Sequence, residues 1–150
     1  MSRDIHQWVS DYGVSHQNPT NKKIHWVCVP VIMFTLLGLL SMLEFYNINI
    51  AYVVIVIALI FYLKLSLAIS IGMFLISIIQ LGAIYYLDQI LVSSTLLYIY
   101  VGIFVIAWIG QFIGHKIEGK KPSFFQDLQF LLIGPAWLLS FIYNKMGLKY

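Results

Sequence analysis

The chain has 150 residues, of which 61% are hydrophobic and only 10% charged, with a formal net charge of +3. Water-soluble domains carry about 25% charged residues, so that class is excluded, and so sparse a charge leaves no basic surface for a nucleic-acid partner. The apolar residues come in long blocks rather than at amphipathic spacing, the mark of an integral membrane protein.

The opening stretch "MSRDIHQWVSDYG" carries acids and a histidine and lacks the apolar core of a secretory signal, so the chain is expected to start near Met1. Ile5, Trp8, Val9 and Tyr12 recur at helical spacing with Gly13 as a stop, which predicts a short amphipathic helix at the membrane interface. Pro19, within "HQNPTN", disfavours helix at Asn18 and opens a new element. Apolar runs of spanning length follow at about 24–43, 48–65, 66–87 and 94–114. Cys28, inside the first run, reads as a small buried hydrophobe. The breaks are short ("EFYNIN", a few residues around Lys64, then "DQILVSS"), which predicts antiparallel neighbours in a compact bundle. The last apolar run, "FLLIGPAWLLSFIY" at 130–143, is shorter and interrupted by Gly134-Pro135, which suits a re-entrant or interfacial segment. The expected fold is an all-α integral membrane protein of four transmembrane helices, an N-terminal amphipathic helix and a C-terminal re-entrant or interfacial helical segment. It forms a single membrane-embedded helical domain over 1–150.

Charge tests the count, because cytoplasmic loops are enriched in Lys and Arg. Four spans put Arg3, Lys22, Lys23, Lys64, Lys116, Lys120, Lys121, Lys145 and Lys149 on one side, and leave Glu44 and Asp88 for the other. Both termini are then cytoplasmic, in a bacterial inner membrane or the endoplasmic reticulum. Tyr46, Tyr52, Tyr85 and Tyr86 form one interfacial belt, and Trp8, Trp26, Tyr62, Trp108 and Tyr143 serve the other.

An even number of spans brings the start of the first and the end of the fourth to one face, where His6, His16, His25 and His115 converge. His16 and His25, nine residues apart, face opposite ways on a continuous helix. The break at Pro19 lets His16 sit on a separate turn that folds back over the head of the first span. In "GHKIEGKKP", His115 and Glu118 share a face if the fourth span runs on by a turn. Asp127 is a further carboxylate near the same surface, either a ligand or a group orienting a histidine. His6 lies off the apolar stripe and is the weaker candidate. The alternative for all four histidines is hydrogen bonding to lipid head groups or loop carbonyls.

Such a site suits Fe(II) acting on O₂, and Zn(II) fits the same ligands. Four histidines are too few for the histidine boxes of membrane di-iron desaturases. There is no GxGxxG, P-loop, GxSxG or HExxH, so nucleotide, serine-hydrolase and zincin chemistry lack support.

The stretches "HQNPTNKKIHWVCVP" and "WIGQFIGHKIEGKKPSFFQDLQFLLIGPAWLL", with the paired patterns H-x-N-P-x-N-x₃-H and G-H-x₂-E-x₃-P, resemble the small membrane dioxygenases that shorten 2-hydroxy fatty acids by one carbon. Ser15 and Gln126-Asp127 depart from that family's pattern. The resemblance implies a catalytic Fe(II) held by His16, His25 and His115, with Glu118 and Asp127 in supporting roles. It also implies a 2-hydroxy fatty acid and O₂ as substrates, giving the shorter acid, CO₂ and water without a reductase or 2-oxoglutarate. Lys22, Lys23, Lys116, Lys120 and Lys121 are candidates to attract the carboxylate, besides anchoring the cytoplasmic side. Two rivals remain at this stage: a zinc-dependent lipid-amide hydrolase resembling alkaline ceramidases, and a non-enzymatic lipid-binding bundle.

Overall fold

The computed structural model describes residues 4–119 and 124–150, the side chains of 124–129 excepted. Its elements are α1 (Ile5–Val14), α2 (Pro19–Ser41), the short strands β1 (Glu44–Phe45) and β2 (Ile48–Asn49), α3 (Ile50–Leu65), α4 (Leu67–Ile90), α5 (Ser93–Glu118) and α6 (Phe124–Met146).

Local chemistry sets the helix ends. Asp4 opens α1 with a capping box, its carboxylate accepting Gln7 N–H at 2.8 Å while the Gln7 side chain accepts Asp4 N–H at 3.2 Å. Asn18 caps α2 through Thr20 N–H at 2.8 Å, and Pro19 occupies the first helical position, where its missing donor costs nothing. Ser66 is the single extended residue between α3 and α4, ending one helix and capping the next. Gly119 stops α5 in the left-handed conformation at φ 73°.

The connection after α2 amends the all-α expectation. Residues 44–49 form a small antiparallel hairpin, with Tyr46 and Asn47 at φ 50° and 60° as its two-residue turn. No glycine signals that turn in the sequence.

Helices α2 and α5 run antiparallel and pack closely through small residues. Gly38 of α2 lies under the Tyr100 ring, while the Cys28 sulfur and the Asn21 side chain lie over Gly110 and Gly114 of α5. Helices α3 and α4 form a second antiparallel pair. Ala51 clusters with Ile84 at one end and Tyr62 with Ile69 and Met73 at the other. Helices α1 and α6 close the end of the bundle where α2 and α4 begin and α3 and α5 finish. Ile5, Val9 and Tyr12 pack on α6, Tyr62 Oη donates to Leu132 O at 2.6 Å, and Tyr143 Oη donates to Ala68 O at 2.8 Å. The apolar face of α1 is therefore covered by α6.

Two further expectations change. Helix α6 is not interrupted at Gly134-Pro135 but runs through both. Proline removes the donor that would bond Leu131 O and crowds the preceding turn, and the Tyr62 hydroxyl ties the next carbonyl, Leu132 O, to α3. Tyr62 is consequently buried rather than part of an aromatic belt, whereas Tyr46, Tyr52, Tyr85 and Tyr86 are exposed as expected.

Among the described residues three helices, α2, α4 and α5, are long and apolar enough to cross a membrane. Their outward faces carry large hydrophobics, with Ile79 71% and Ile106 69% exposed, which water would not tolerate over so wide a surface. Helix α3 has 16 residues, a rise of about 24 Å, short of the roughly 30 Å hydrocarbon core.

Candidate metal centre

The turn between α1 and α2 carries His16, the second turn of α2 carries His25, and the last turn of α5 carries His115. One ring nitrogen from each lies within 4.8 Å of the others. The His16 ring centroid is 4.2 Å from that of His25 and 5.3 Å from that of His115, and His25 and His115 are 5.1 Å apart.

The tautomers follow from the bonds on the far nitrogens. His16 Nδ1 lies 2.7 Å from Tyr12 O, and His25 Nδ1 lies 3.0 Å from Asn21 O. A carbonyl only accepts, so both rings carry their proton on Nδ1 and their lone pair on Nε2. His25 is fully buried and its Nε2 has no hydrogen-bond partner. An unsatisfied buried nitrogen costs roughly 1–3 kcal/mol, and a metal ion is what a lone pair facing two other imidazoles accommodates. The residues present fit such an ion.

Support for the rings comes from neighbouring elements. Tyr12 stacks flat on His16, with centroids 4.1 Å apart and an interplanar angle of 9°, and Trp137 of α6 stands 5.2 Å from both rings. Glu118 accepts Gln17 N–H at 2.7 Å, Asn18 N–H at 3.0 Å and the Asn21 side-chain N–H at 3.0 Å. Asn21 also donates to Ser15 O at 3.3 Å. Glu118 thus fastens the turn bearing His16 to the helix bearing His115. A Cβ at Gly114 would collide with Asn21 Oδ1 and come within 3.5 Å of His25 Cε1, so glycine is what lets the two helices meet here.

Of the residues singled out from the sequence, His16, His25 and His115 come together, with Glu118 bound to the turn beside them. His6 is exposed and lies against Tyr150, ring centroids 5.0 Å apart. Asp127 lies in α6, and its side chain falls outside the described residues, as do Lys120 and Lys121. Lys23 and Lys116 are exposed and Lys22 is half-buried.

A cavity runs from this cluster into the bundle. His16, His115 and Ser15 line one end, and Leu37, Val54 and Ile55 the other; Lys22, Lys23 and Lys116 are not among its lining residues. Leu37 is twelve residues beyond His25 on α2, a depth of about 18 Å. Sequence reasoning passed over Gln111 of this wall and the hub residue Asn21, and gave Trp108, which also lines the cavity, to the aromatic belt. Gln111, a lone polar residue in an apolar span one turn from His115, is the signal that was available.

The family described as 2-hydroxy-palmitic acid dioxygenase Mpo1-like matches residues 2–146 of the chain. The chain belongs to the Mpo1-like family. Among its members, 2-hydroxy-palmitic acid dioxygenase MPO1 of Saccharomyces cerevisiae is 30% identical over 149 residues, covering 96% of this chain and 82% of the yeast protein. No solved structure matches the chain. The Mpo1-like match confirms the resemblance drawn from the two motifs, and it spans all three clustered histidines.

Proposed function

We propose that this chain is an Fe(II)-dependent dioxygenase of 2-hydroxy fatty acids, built as one membrane-embedded helical domain. The observation that carries the reading is a cluster of three imidazoles at the end of a largely apolar cavity deep enough for a long acyl tail. The name of the yeast relative supports the substrate class and the use of O₂.

In the proposed reaction the C1–C2 bond of the 2-hydroxy acid breaks, C1 leaves as CO₂ and C2 rises from alcohol to carboxylic acid. O₂ accepts the four electrons, and the products are the acid one carbon shorter, CO₂ and water. Fe(II) held by His16, His25 and His115 supplies the O₂ chemistry when bound.

The protein's own groups provide order. The carbonyls of Tyr12 and Asn21 hold two rings in the tautomer that offers Nε2. Glu118 acts as a positioning residue through the turn it clamps. Asp127 remains the candidate for a further ligand or an orienting carboxylate. Val29, Ile32, Met33 and Leu37 give the tail an apolar wall that excludes water. Lys22, Lys23, Lys116, Lys120 and Lys121 mark the cytoplasmic side and draw the carboxylate toward it.

The same reading makes α3 the second of four spans, because it runs antiparallel along α4 from Tyr62 to Ala51 and so covers comparable depth. Both termini are cytoplasmic, and α6 enters that side without crossing.

Elemental analysis joined to oxygen uptake tests the proposal. Purified protein is expected to hold about one iron per chain and to consume O₂ with 2-hydroxypalmitate, releasing the fifteen-carbon acid. Bound zinc with turnover indifferent to O₂ would overturn it in favour of a lipid-amide hydrolase.

A further inference from the structure

Gln111 stands on α5 one turn before His115, is 7% exposed, and lines the same cavity. Residues four apart on a helix share a face with Cβ atoms about 6 Å apart, so its amide and the His115 imidazole look into one space. Among the described residues no hydrogen bond engages that amide. Tyr62, a polar group of the same wall, spends its hydroxyl proton on Leu132 O. An amide left without a partner is costly in a bundle surrounded by lipid. Its polar atoms are turned toward whatever fills the cavity beside the histidines.

An amide offers a donor and an acceptor side by side. The head of a 2-hydroxy acid offers the complement, a carboxylate oxygen that accepts and, on the adjacent carbon, a hydroxyl that donates. An unsubstituted fatty acid has only acceptors, and a 3-hydroxy acid carries its donor one carbon too far along. We propose that Gln111 is the residue that selects the 2-hydroxyl, with Nε2 donating to the carboxylate and Oε1 accepting from the hydroxyl, while the tail extends toward Leu37 and Ile55. This inference rests on the dioxygenase reading above and deepens it.

The test is equilibrium binding to the iron-loaded protein in nanodiscs without O₂, using 2-hydroxypalmitate, 3-hydroxypalmitate and palmitate as probes. Wild type is expected to prefer 2-hydroxypalmitate over the other two by about 10- to 100-fold, the discrimination a paired polar site achieves when its partner is missing. Gln111→Leu should reduce that preference to within about threefold, with palmitate losing less affinity than 2-hydroxypalmitate because it forgoes only the carboxylate bond, while iron content and helical signal stay at wild-type levels. Gln111→Met, closer in shape, repeats the comparison should the leucine variant lose its fold. Gln111→Glu should weaken all three acids by repelling their carboxylates. Retention of the preference in both apolar variants would overturn the inference and assign selection to another group. Binding of all three acids by wild type without preference would overturn it too, leaving the fatty-acid reading intact. Failure of iron-loaded wild type to bind any of them would overturn both.

Discussion

The Glu118 carboxylate accepts the Asn21 side-chain N–H at 3.0 Å, joining the last residue of α5 to the first turn of α2 across 97 positions of the chain. The same carboxylate receives the backbone N–H groups of Gln17 and Asn18, which immediately follow His16. The distance between His16 and His115 is therefore governed by a side chain three residues beyond His115. Asn21 adds to the coupling, because its carbonyl orients His25.

Replacing Glu118 by Gln should loosen this clamp without unfolding the bundle. The amide has one acceptor oxygen where the carboxylate has two, and it points an N–H₂ at donors that need an acceptor. Metal affinity is expected to fall by about 10- to 100-fold, the usual cost of losing a group that orients a ligand. Competition against a chelator of known affinity measures it. Wild-type affinity in this variant would deny Glu118 its positioning role.

Alanine at His16, His25 or His115 should each remove activity and bound iron, since two imidazoles hold a labile metal poorly. Chelation provides a second readout. Stripping the metal from wild type leaves the His25 lone pair buried, so the unfolding temperature should drop and recover when iron returns. The three variants should show no such response. His6→Ala should keep both iron and the chelator response, because that ring lies against Tyr150 rather than in the cluster.

How much of this was legible in the sequence depends on how local the causes are. The break at Pro19 and the fold-back of His16 follow from proline's effect on its neighbour. The meeting of His16, His25 and His115 follows from counting spans and helical phase. The continuity of α6 through Gly134-Pro135 does not, since that turn is held in part by a bond from Tyr62 to Leu132 O, 70 residues apart in the chain. Gln111 was visible as a lone polar residue in an apolar run, but its role was not, because such a residue gains meaning only when a cavity opens on its side of the helix. The hairpin at 44–49 lacks the Asn-Gly or Asp-Gly turn that would have announced it.

Tyr62→Phe isolates the long-range support of α6. The ring still fills its buried place, and only the bond to Leu132 O is lost. A net loss of about 1 kcal/mol is expected, since Leu132 O keeps its place in the helical ladder and loses only the added bond. Thermal unfolding in detergent micelles reads the change. A stability equal to wild type would mean that the bond from α3 does not help to hold α6.

Gly114 and Gly102 lie on the same helix and offer a matched test of close approach. A methyl group at Gly114 meets Asn21 Oδ1 well inside contact distance, whereas a methyl at Gly102 meets nothing within 4 Å. Asn21 cannot retreat freely, because its side chain is fully buried and its N–H₂ is bound to Glu118 and Ser15. Gly114→Ala must therefore push α2 from α5 or break that bonding, at a cost of about 1–3 kcal/mol for overpacking. The first movement carries His25 away from His115 and the second releases the Glu118 clamp, so metal affinity should fall together with stability. Gly102→Ala should keep metal affinity and gain up to about 1 kcal/mol of stability from helix propensity. The pair is measured by unfolding temperature and chelator competition on the same preparations. Equal behaviour of the two variants would show that the approach of α2 to α5 does not set the geometry of the histidines.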